Sequence, residues 1–186
     1  ANGVGQLLRY TLDADGKPVG QPQSLSNFAN QRIISSLRFD PAATAQNLKL
    51  WVSNNALCDG NSGPACADFT GAISVLTGAD LSTRRDVIVG LPRSIGNHMT
   101  NGIDFGADGK MYIAQSANNG YGAPDPVWGN RGEDPLSAAV LVVDANSISG
   151  TLNVNTSTGY NPATGALKTF ATGIRNPYSV MVHSNG

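Results

Sequence analysis

Hydrophobic and polar residues alternate in short runs along this chain, and the runs recur in the same order. One copy of the pattern comprises residues 36–41 and 48–53, and a second copy spans residues 102–113. A third copy covers residues 179–186. Alternation with a period of two predicts strands, and the Asp-Gly and Asn-Gly pairs in the second and third copies predict tight hairpin turns.

A second apolar pattern precedes each of these copies and supplies further short strands. Its parts connect residues 7–12 with the turn 13–17, residues 72–76 with 86–92, and residues 139–144 with 167–177. No stretch keeps a helical period for three turns without Gly or Pro, so the pattern argues against long helices.

Short strands that recur in this way predict an all-β fold of the β-propeller type. We expect about three four-stranded antiparallel blades in the approximate units 5–55, 72–118 and 138–186, so that residues 1–186 form part of one propeller domain. A β-sandwich is the alternative, but a sandwich does not require the same strand–turn–strand pattern three times. An open ring would expose apolar blade faces to water. We therefore expect the remaining blades to come from the rest of the same polypeptide or from a second copy.

The composition argues against some classes of function. Charged residues make up 13% of the chain and the formal net charge is −1, so no basic surface indicates nucleic acid or acidic lipid as a partner. No apolar run approaches the roughly 20 residues of a membrane-spanning helix. The 22 Gly and 10 Pro residues indicate a protein rich in turns.

The two cysteines, Cys58 and Cys66, lie in the polar stretch CDGNSGPAC. Their spacing and the lack of a nearby His fit neither a common metal site nor a redox motif. A disulfide that closes a surface loop is the simpler interpretation, and it would contribute about 2.5 kcal/mol in the chain-entropy model. Such a bond indicates a secreted or periplasmic protein.

Three long connections, roughly residues 56–71, 114–137 and 150–166, are rich in Gly, Pro and Asn. Connections of this length are often functional, although a solvated insertion is equally compatible with the sequence. Four charged residues of the middle connection could line a pocket or bind calcium through oxygen ligands, or could simply form a solvated loop. They are Asp125, Arg131, Glu133 and Asp134.

Two longer sequence words resemble the glucose/sorbosone dehydrogenase family of soluble quinoproteins. They are GLPRSIGNHMTNGIDFGADGKMYIAQSANNG, from Gly90, and ATGIRNPYSVMVHSNG, from Ala171. In that family a His follows a Leu-Pro segment, an Asp-Gly hairpin comes next, and a G-x-RNP word opens the following blade. The resemblance implies a six-bladed propeller whose central pocket holds pyrroloquinoline quinone (PQQ) with calcium.

Carried over by position, the resemblance makes His98 the general base that takes the proton from the anomeric hydroxyl of a sugar. Neutral imidazole suits this task because its ordinary pKa is about 6.5. Arg175 and Asn176 match residues that hold the quinone, and a guanidinium can bind a carboxylate with two hydrogen bonds. The calcium ligands are expected outside this chain, and no metal ligand is assigned within it. We expect all three side chains to converge at one face of the propeller.

The chain also departs from the family pattern. The stretch 115–118 reads Gln-Ser-Ala-Asn, where the family presents a carboxylate near the base, and Asn97 stands where close relatives have an acidic residue. Without the resemblance, the sequence predicts that His98 is a surface or hairpin residue and that residues 175–177 form a turn that leads into a strand. Two functions follow: a PQQ-dependent sugar dehydrogenase, or a noncatalytic secreted propeller that binds carbohydrate or protein.

Overall fold

The computed structural model of the protein describes residues 5–28, 32–58 and 66–185. This part of the chain contains strands and single turns of 3₁₀ helix, and no α-helix. The all-β class predicted by the alternating pattern is therefore confirmed. The strands are Leu7–Leu12 (β1), Pro18–Leu25 (β2), Arg32–Phe39 (β3), Lys49–Ala56 (β4), Gly71–Thr77 (β5), Thr83–Leu91 (β6), Thr100–Phe105 (β7), Met111–Gln115 (β8), Ala139–Val143 (β9), Leu152–Asn153 (β10) and Lys168–Thr172 (β11).

The strands form one hairpin and two larger sheets. The hairpin pairs β1 with β2, the first sheet has the order β10-β6-β5-β4-β3, and the second has the order β11-β9-β8-β7. All pairings are antiparallel except that of β10, a two-residue strand that lies parallel to β6. Three four-stranded sheets were expected. Two four-stranded antiparallel arrays and one hairpin are found in the described part of the chain.

The boundaries of the sheets do not coincide with those of the predicted units 5–55, 72–118 and 138–186. The first two strand–turn–strand copies each form the first hairpin of a sheet, as β3–β4 and as β7–β8. The second apolar pattern supplies two further strands of each of these sheets, β5 and β6 in the first and β9 and β11 in the second. Each sheet therefore combines a copy with the apolar pattern that follows it in the chain, whereas the predicted units combined a copy with the pattern that precedes it. Chain proximity does not explain this pairing, because the connection from β6 to β7 is shorter than the connection from β8 to β9.

The third copy does not form the predicted strand at residues 179–182. This segment instead lies against β7 through isolated hydrogen bonds. The N–H of Gly102 donates to the Tyr178 carbonyl at 3.1 Å, and the N–H of Val182 donates to a carboxylate oxygen of Asp104 at 2.9 Å. Because one of these two acceptors is a side chain, the contacts do not make a continuous ladder.

The three copies nevertheless lie side by side in chain order. Arg38 of β3 pairs with Asp104 of β7 at 2.8 Å, and the same carboxylate accepts from Val182 on its other side. The hydroxyl of Ser35 donates to the Thr100 carbonyl at 2.6 Å, which joins β3 to β7 nearer their other ends. The described residues form no closed ring.

Two apolar clusters hold these layers together. The larger cluster lies between the two sheets and includes Trp51, Ile73, Phe105 and Ile113; the smaller one lies under the β1–β2 hairpin and is centred on Phe28. Burial of each such side chain contributes about 1.5–3 kcal/mol. In the described residues, no helix is long and apolar enough to cross a membrane.

Candidate functional site

The connection between β6 and β7 carries His98. It folds around Ser94, whose hydroxyl oxygen accepts from the backbone N–H of Gly96 at 3.2 Å and from that of His98 at 3.0 Å. The same hydroxyl lies 3.0 Å from the His98 carbonyl, to which it donates. This local turn places His98 just before the strand that begins at Thr100, which is the junction that the repeat predicts.

The imidazole of His98 is buried, with 2% of the residue exposed. Its Nδ1 lies 3.0 Å from the Ala117 carbonyl, and the ring stacks on Trp128 with 4.3 Å between the centroids. A carbonyl can only accept, so Nδ1 carries the proton in this contact. The neutral ring therefore has its lone pair on Nε2, the nitrogen that a base would use.

The surroundings of His98 favour its neutral form. Burial lowers the pKa of His98 below its ordinary value, and the nearby charge of Arg175 lowers this pKa further. The hydrogen bond to Ala117 and the charge of Glu133 oppose the shift without reversing it. His98 is therefore uncharged at neutral pH.

Arg175 also lies near the indole of Trp128. Its Nε donates to the Gly120 carbonyl at 2.8 Å, and its guanidinium carbon lies 5.9 Å from the centroid of the indole. The backbone carbonyl of Arg175 accepts from the N–H of Ala117 at 2.8 Å. The residue whose carbonyl orients His98 is thus hydrogen-bonded to the residue that carries the guanidinium.

Asn176 is fixed by the same connection. Its Oδ1 accepts from the hydroxyl of Ser116 at 2.6 Å. That hydroxyl also accepts from Asn101 at 2.9 Å, and Asn101 donates a second bond to the Pro177 carbonyl at 2.9 Å. These bonds tie the segment around Asn176 to β7 and to the end of β8.

The structure therefore brings the three residues selected from the sequence to one loop, residues 116–120, and it brings His98 and Arg175 to one indole ring. His98 contacts Ala117, Asn176 contacts Ser116, and Arg175 contacts both Ala117 and Gly120. The contacts establish proximity, and the chemical roles of the three residues remain a proposal.

An open cleft of about 240 Å³ adjoins this cluster. Arg175 and Glu133 contribute its charged side chains, and Tyr121, 94% exposed, lies at its edge. His98 does not line the cleft. The remaining lining residues are Ala117, Asn119, Gly120, Gly122, Ala138 and Gly173.

Glu133 supplies a carboxylate that the stretch 115–118 lacks. Its two oxygens accept from the backbone N–H groups of Asn118 at 2.9 Å and Asn119 at 3.2 Å, and from the hydroxyl of Ser137. The carboxylate therefore holds the loop that holds His98, although the two side chains are not hydrogen-bonded to each other. Glu133 lies 15 positions after Asn118, so sequence proximity gave no signal for this contact.

The other three charged residues of the connection have structural partners. Asp125 caps a 3₁₀ turn by accepting from the N–H of Trp128 at 3.1 Å, and Asp134 accepts from the N–H of Leu136 at 2.9 Å. Arg131 pairs with Asp68 at 2.8 Å. Within the described ranges, no group of three or more His, Cys, Asp or Glu side chains is arranged to hold a metal ion.

The predicted disulfide between Cys58 and Cys66 is confirmed, with 5.5 Å between the Cα atoms. Residues 59–65, which it encloses, lie outside the described residues. The bond lies beside the connection that carries His98, because the N–H of Cys66 donates to the Ile95 carbonyl at 3.3 Å.

Trp128 is the residue that the sequence reasoning missed. The only local signal is Asp125-Pro126, because Asp at the N-cap and Pro at the first position are typical of a helical turn. That signal predicts the turn, but it does not predict that the indole reaches His98. Gly120 permits the close approach, since a Cβ at this position would lie 2.9 Å from the indole nitrogen.

No protein-family model, curated protein or solved structure matches this chain. The class supported directly is therefore an all-β protein with antiparallel sheets and one disulfide.

Proposed function

We propose that this chain is part of a secreted β-propeller that acts as a PQQ-dependent sugar dehydrogenase, with His98 as the general base. The observation that carries the proposal is the common attachment of His98, Arg175 and Asn176 to residues 116–120. The side-by-side arrangement of the three repeat copies supports the propeller, because successive blades place equivalent strands next to each other. The disulfide supports an oxidising compartment.

Donors of Arg175, which lines the cleft, and of the neighbouring Asn176 fit the oxygen atoms of such a cofactor. The bonds of Arg175 and Asn176 to described side chains and carbonyls use Nε and Oδ1 respectively. The terminal guanidinium nitrogens and the amide nitrogen are left for carboxylate or quinone oxygens. PQQ, when bound, would supply the two-electron acceptor for the hydride of the sugar. No group of three or more His, Cys, Asp or Glu side chains among the described residues is arranged to hold a metal ion, so calcium is assigned no ligand among them.

Both the charge state and the tautomer of His98 suit it to accept a proton. Burial keeps the ring neutral, and the bond from Nδ1 to Ala117 leaves Nε2 as the basic nitrogen. Access is the remaining requirement, since the imidazole is buried and stacked on Trp128. A sugar must therefore approach an edge of the imidazole, or Trp128 must move when the sugar binds.

The direct test loads the protein with PQQ and calcium and measures oxidation of a panel of aldoses with an artificial electron acceptor. His98→Asn should abolish oxidation and leave quinone binding intact, because the amide cannot take the proton at neutral pH. His183→Asn is the matched control, since His183 is exposed and bonds only to Asn185 among the described residues. Oxidation that survives His98→Asn contradicts the proposal.

A noncatalytic carbohydrate-binding function is the second candidate, and two observations favour it. Tyr121 is 94% exposed at the edge of the cleft, where its ring offers an apolar face and a polar tip to a ligand. Trp128 covers the imidazole of His98. In this case sugars bind without being oxidised, and Tyr121→Ala weakens binding while His98→Asn does not. Calorimetric titration with sugars, in the absence of PQQ, separates the two functions.

A further inference from the structure

The disulfide contacts a buried arginine. Arg93 follows β6, and only 1% of the residue is exposed. Its Nη2 lies 3.5 Å from the sulfur of Cys58 and 3.5 Å from the sulfur of Cys66. One guanidinium nitrogen therefore faces both sulfur atoms of the bond.

This guanidinium has no carboxylate partner among the described residues. Its Nε and Nη1 are buried without a hydrogen bond to any described group. Asp68, the acidic residue closest in sequence to Cys66, pairs with Arg131 at 2.8 Å. Burial, together with the positive charges of Arg32 and Arg131, lowers the pKa of Arg93 to about 10. A buried cation that has no anion among the described residues is costly, so an anion that forms beside it is strongly favoured.

The sulfur atoms can supply that anion only when the disulfide is reduced. In a disulfide they are uncharged and accept hydrogen bonds weakly, whereas a thiolate beside a guanidinium forms an ion pair. We propose that Cys58 and Cys66 are a redox-active pair whose reduced form is stabilised by a thiolate–guanidinium contact with Arg93. Stabilisation of the reduced form makes a disulfide more readily reducible.

The exposure of the two sulfur-bearing residues sets the order of the reaction. Cys58 is half-buried, and Cys66 is 1% exposed. A thiolate of a small dithiol attacks the sulfur of Cys58, the S–S bond breaks, and Cys66 leaves as a thiolate beside Arg93. The second thiolate of the dithiol then attacks the mixed disulfide, which releases Cys58 as a thiolate and the reagent as its cyclic disulfide. Two electrons pass from the dithiol to the protein.

The pair is mechanically connected to the segment that carries His98. Arg131 donates to the carbonyl of Arg93 at 3.0 Å and to that of Cys66 at 2.5 Å, and Cys66 is bonded to Ile95. The redox reaction does not depend on the proposed sugar chemistry. It depends on the contact between Arg93 and the two sulfur atoms.

The first experiment equilibrates the protein with mixtures of reduced and oxidised dithiothreitol. The reduced fraction is then measured by acid quenching, thiol labelling and mass spectrometry. Arg93→Met should lower the equilibrium constant for reduction at least tenfold, which is about 30 mV for a two-electron couple. Arg93→Lys should lower it less, because the charge is kept. Arg9→Met removes an exposed arginine that bonds to Ala79 and should change nothing. An unchanged constant in a folded Arg93→Met protein overturns the proposal.

The second experiment applies even if Arg93→Met does not fold. Cys58→Ser leaves Cys66 as a single thiol beside Arg93, and the ultraviolet absorbance of its thiolate is followed against pH. We expect a thiol pKa below the ordinary value of about 8.5, because the guanidinium favours the anion more than burial disfavours it. A value at or above about 8.5 shows that burial dominates, and it overturns the proposal.

Discussion

Strand residues near both ends of the β7–β8 hairpin are buried, but the two ends are built from different chemistry. At the turn end, Phe105 and Met111 pack in the large apolar cluster, and the Phe105 ring lies 6.1 Å from that of Trp51. At the loop end, the Thr100 hydroxyl donates to Gln115 at 2.8 Å, and Gln115 donates to the Pro92 carbonyl at 3.0 Å. The apolar side chains of the turn end gain stability from burial, whereas the buried polar groups of the loop end gain it only if each polar atom has a partner.

This difference shows where the fold leaves polar groups unsatisfied. Among the described residues, the buried side-chain atoms without a hydrogen-bond partner belong to Arg93, Asn118 and Asp125. All three lie in the connections at the loop end, which also carry His98 and the disulfide. Buried polar groups without partners are costly to the stability of a fold.

The largest expected loss of stability comes from a substitution at the turn end. Met111→Ala removes a fully buried side chain from the large cluster, and it should lower the free energy of unfolding by about 3 kcal/mol. Urea denaturation measures the loss. Met181→Ala is the matched control because Met181 is 79% exposed, and it should change stability by less than about 0.5 kcal/mol. Equal effects of the two substitutions would show that the turn end does not carry the stability.

The second effect tests the covalent support of the loop end. Replacing both Cys58 and Cys66 by Ser should lower the free energy of unfolding by about 2.5 kcal/mol, because the short loop is no longer closed in the unfolded chain. Denaturant unfolding of the oxidised protein and of the double variant gives the difference. A double variant as stable as the oxidised protein would contradict this expectation.

The third effect tests the polar packing of the loop end. Gln115→Ala leaves the Thr100 hydroxyl without its acceptor and the Pro92 carbonyl without its donor, so stability should fall by about 2 kcal/mol. Gln46→Ala, at an exposed position, is the control and should be nearly neutral. A loss for Gln115→Ala no larger than the control would mean that water replaces these bonds without cost.

The smallest effect is the pH dependence that His98 contributes. Its pKa in the folded protein is lowered, so between that value and the ordinary pKa of about 6.5 the unfolded chain binds more protons. Stability should therefore fall as the pH drops through about 6.5 and level off below the folded pKa. NMR titration of the imidazole measures the folded pKa. His98→Asn should remove this part of the pH dependence, and an unchanged profile in that variant contradicts the assignment.

Local pattern predicted the elements of this protein well. The alternation in residues 102–113 and the Asp-Gly pair predicted β7, its turn and β8, and the spacing of Cys58 and Cys66 predicted the disulfide. These features depend on neighbours within about a dozen residues, which the sequence displays directly. The strand predicted at 179–182 was wrong because a strand also needs a partner with a continuous ladder, and the alternating pattern does not supply one.

Contacts between distant segments were decided by the tertiary structure. The repeat correctly placed His98 at the junction before β7, but Trp128, Glu133 and Arg93 acquired their contacts from the folding of long connections. Such connections have no hydrophobic period, so their sequence does not specify which carbonyl, ring or sulfur a side chain will reach. The sequence by itself determined most of the strands, the hairpin turn between β7 and β8, and the cysteine pair. Only the packing of the sheets determined which polar groups became buried together, because that burial requires both sheets to be in place.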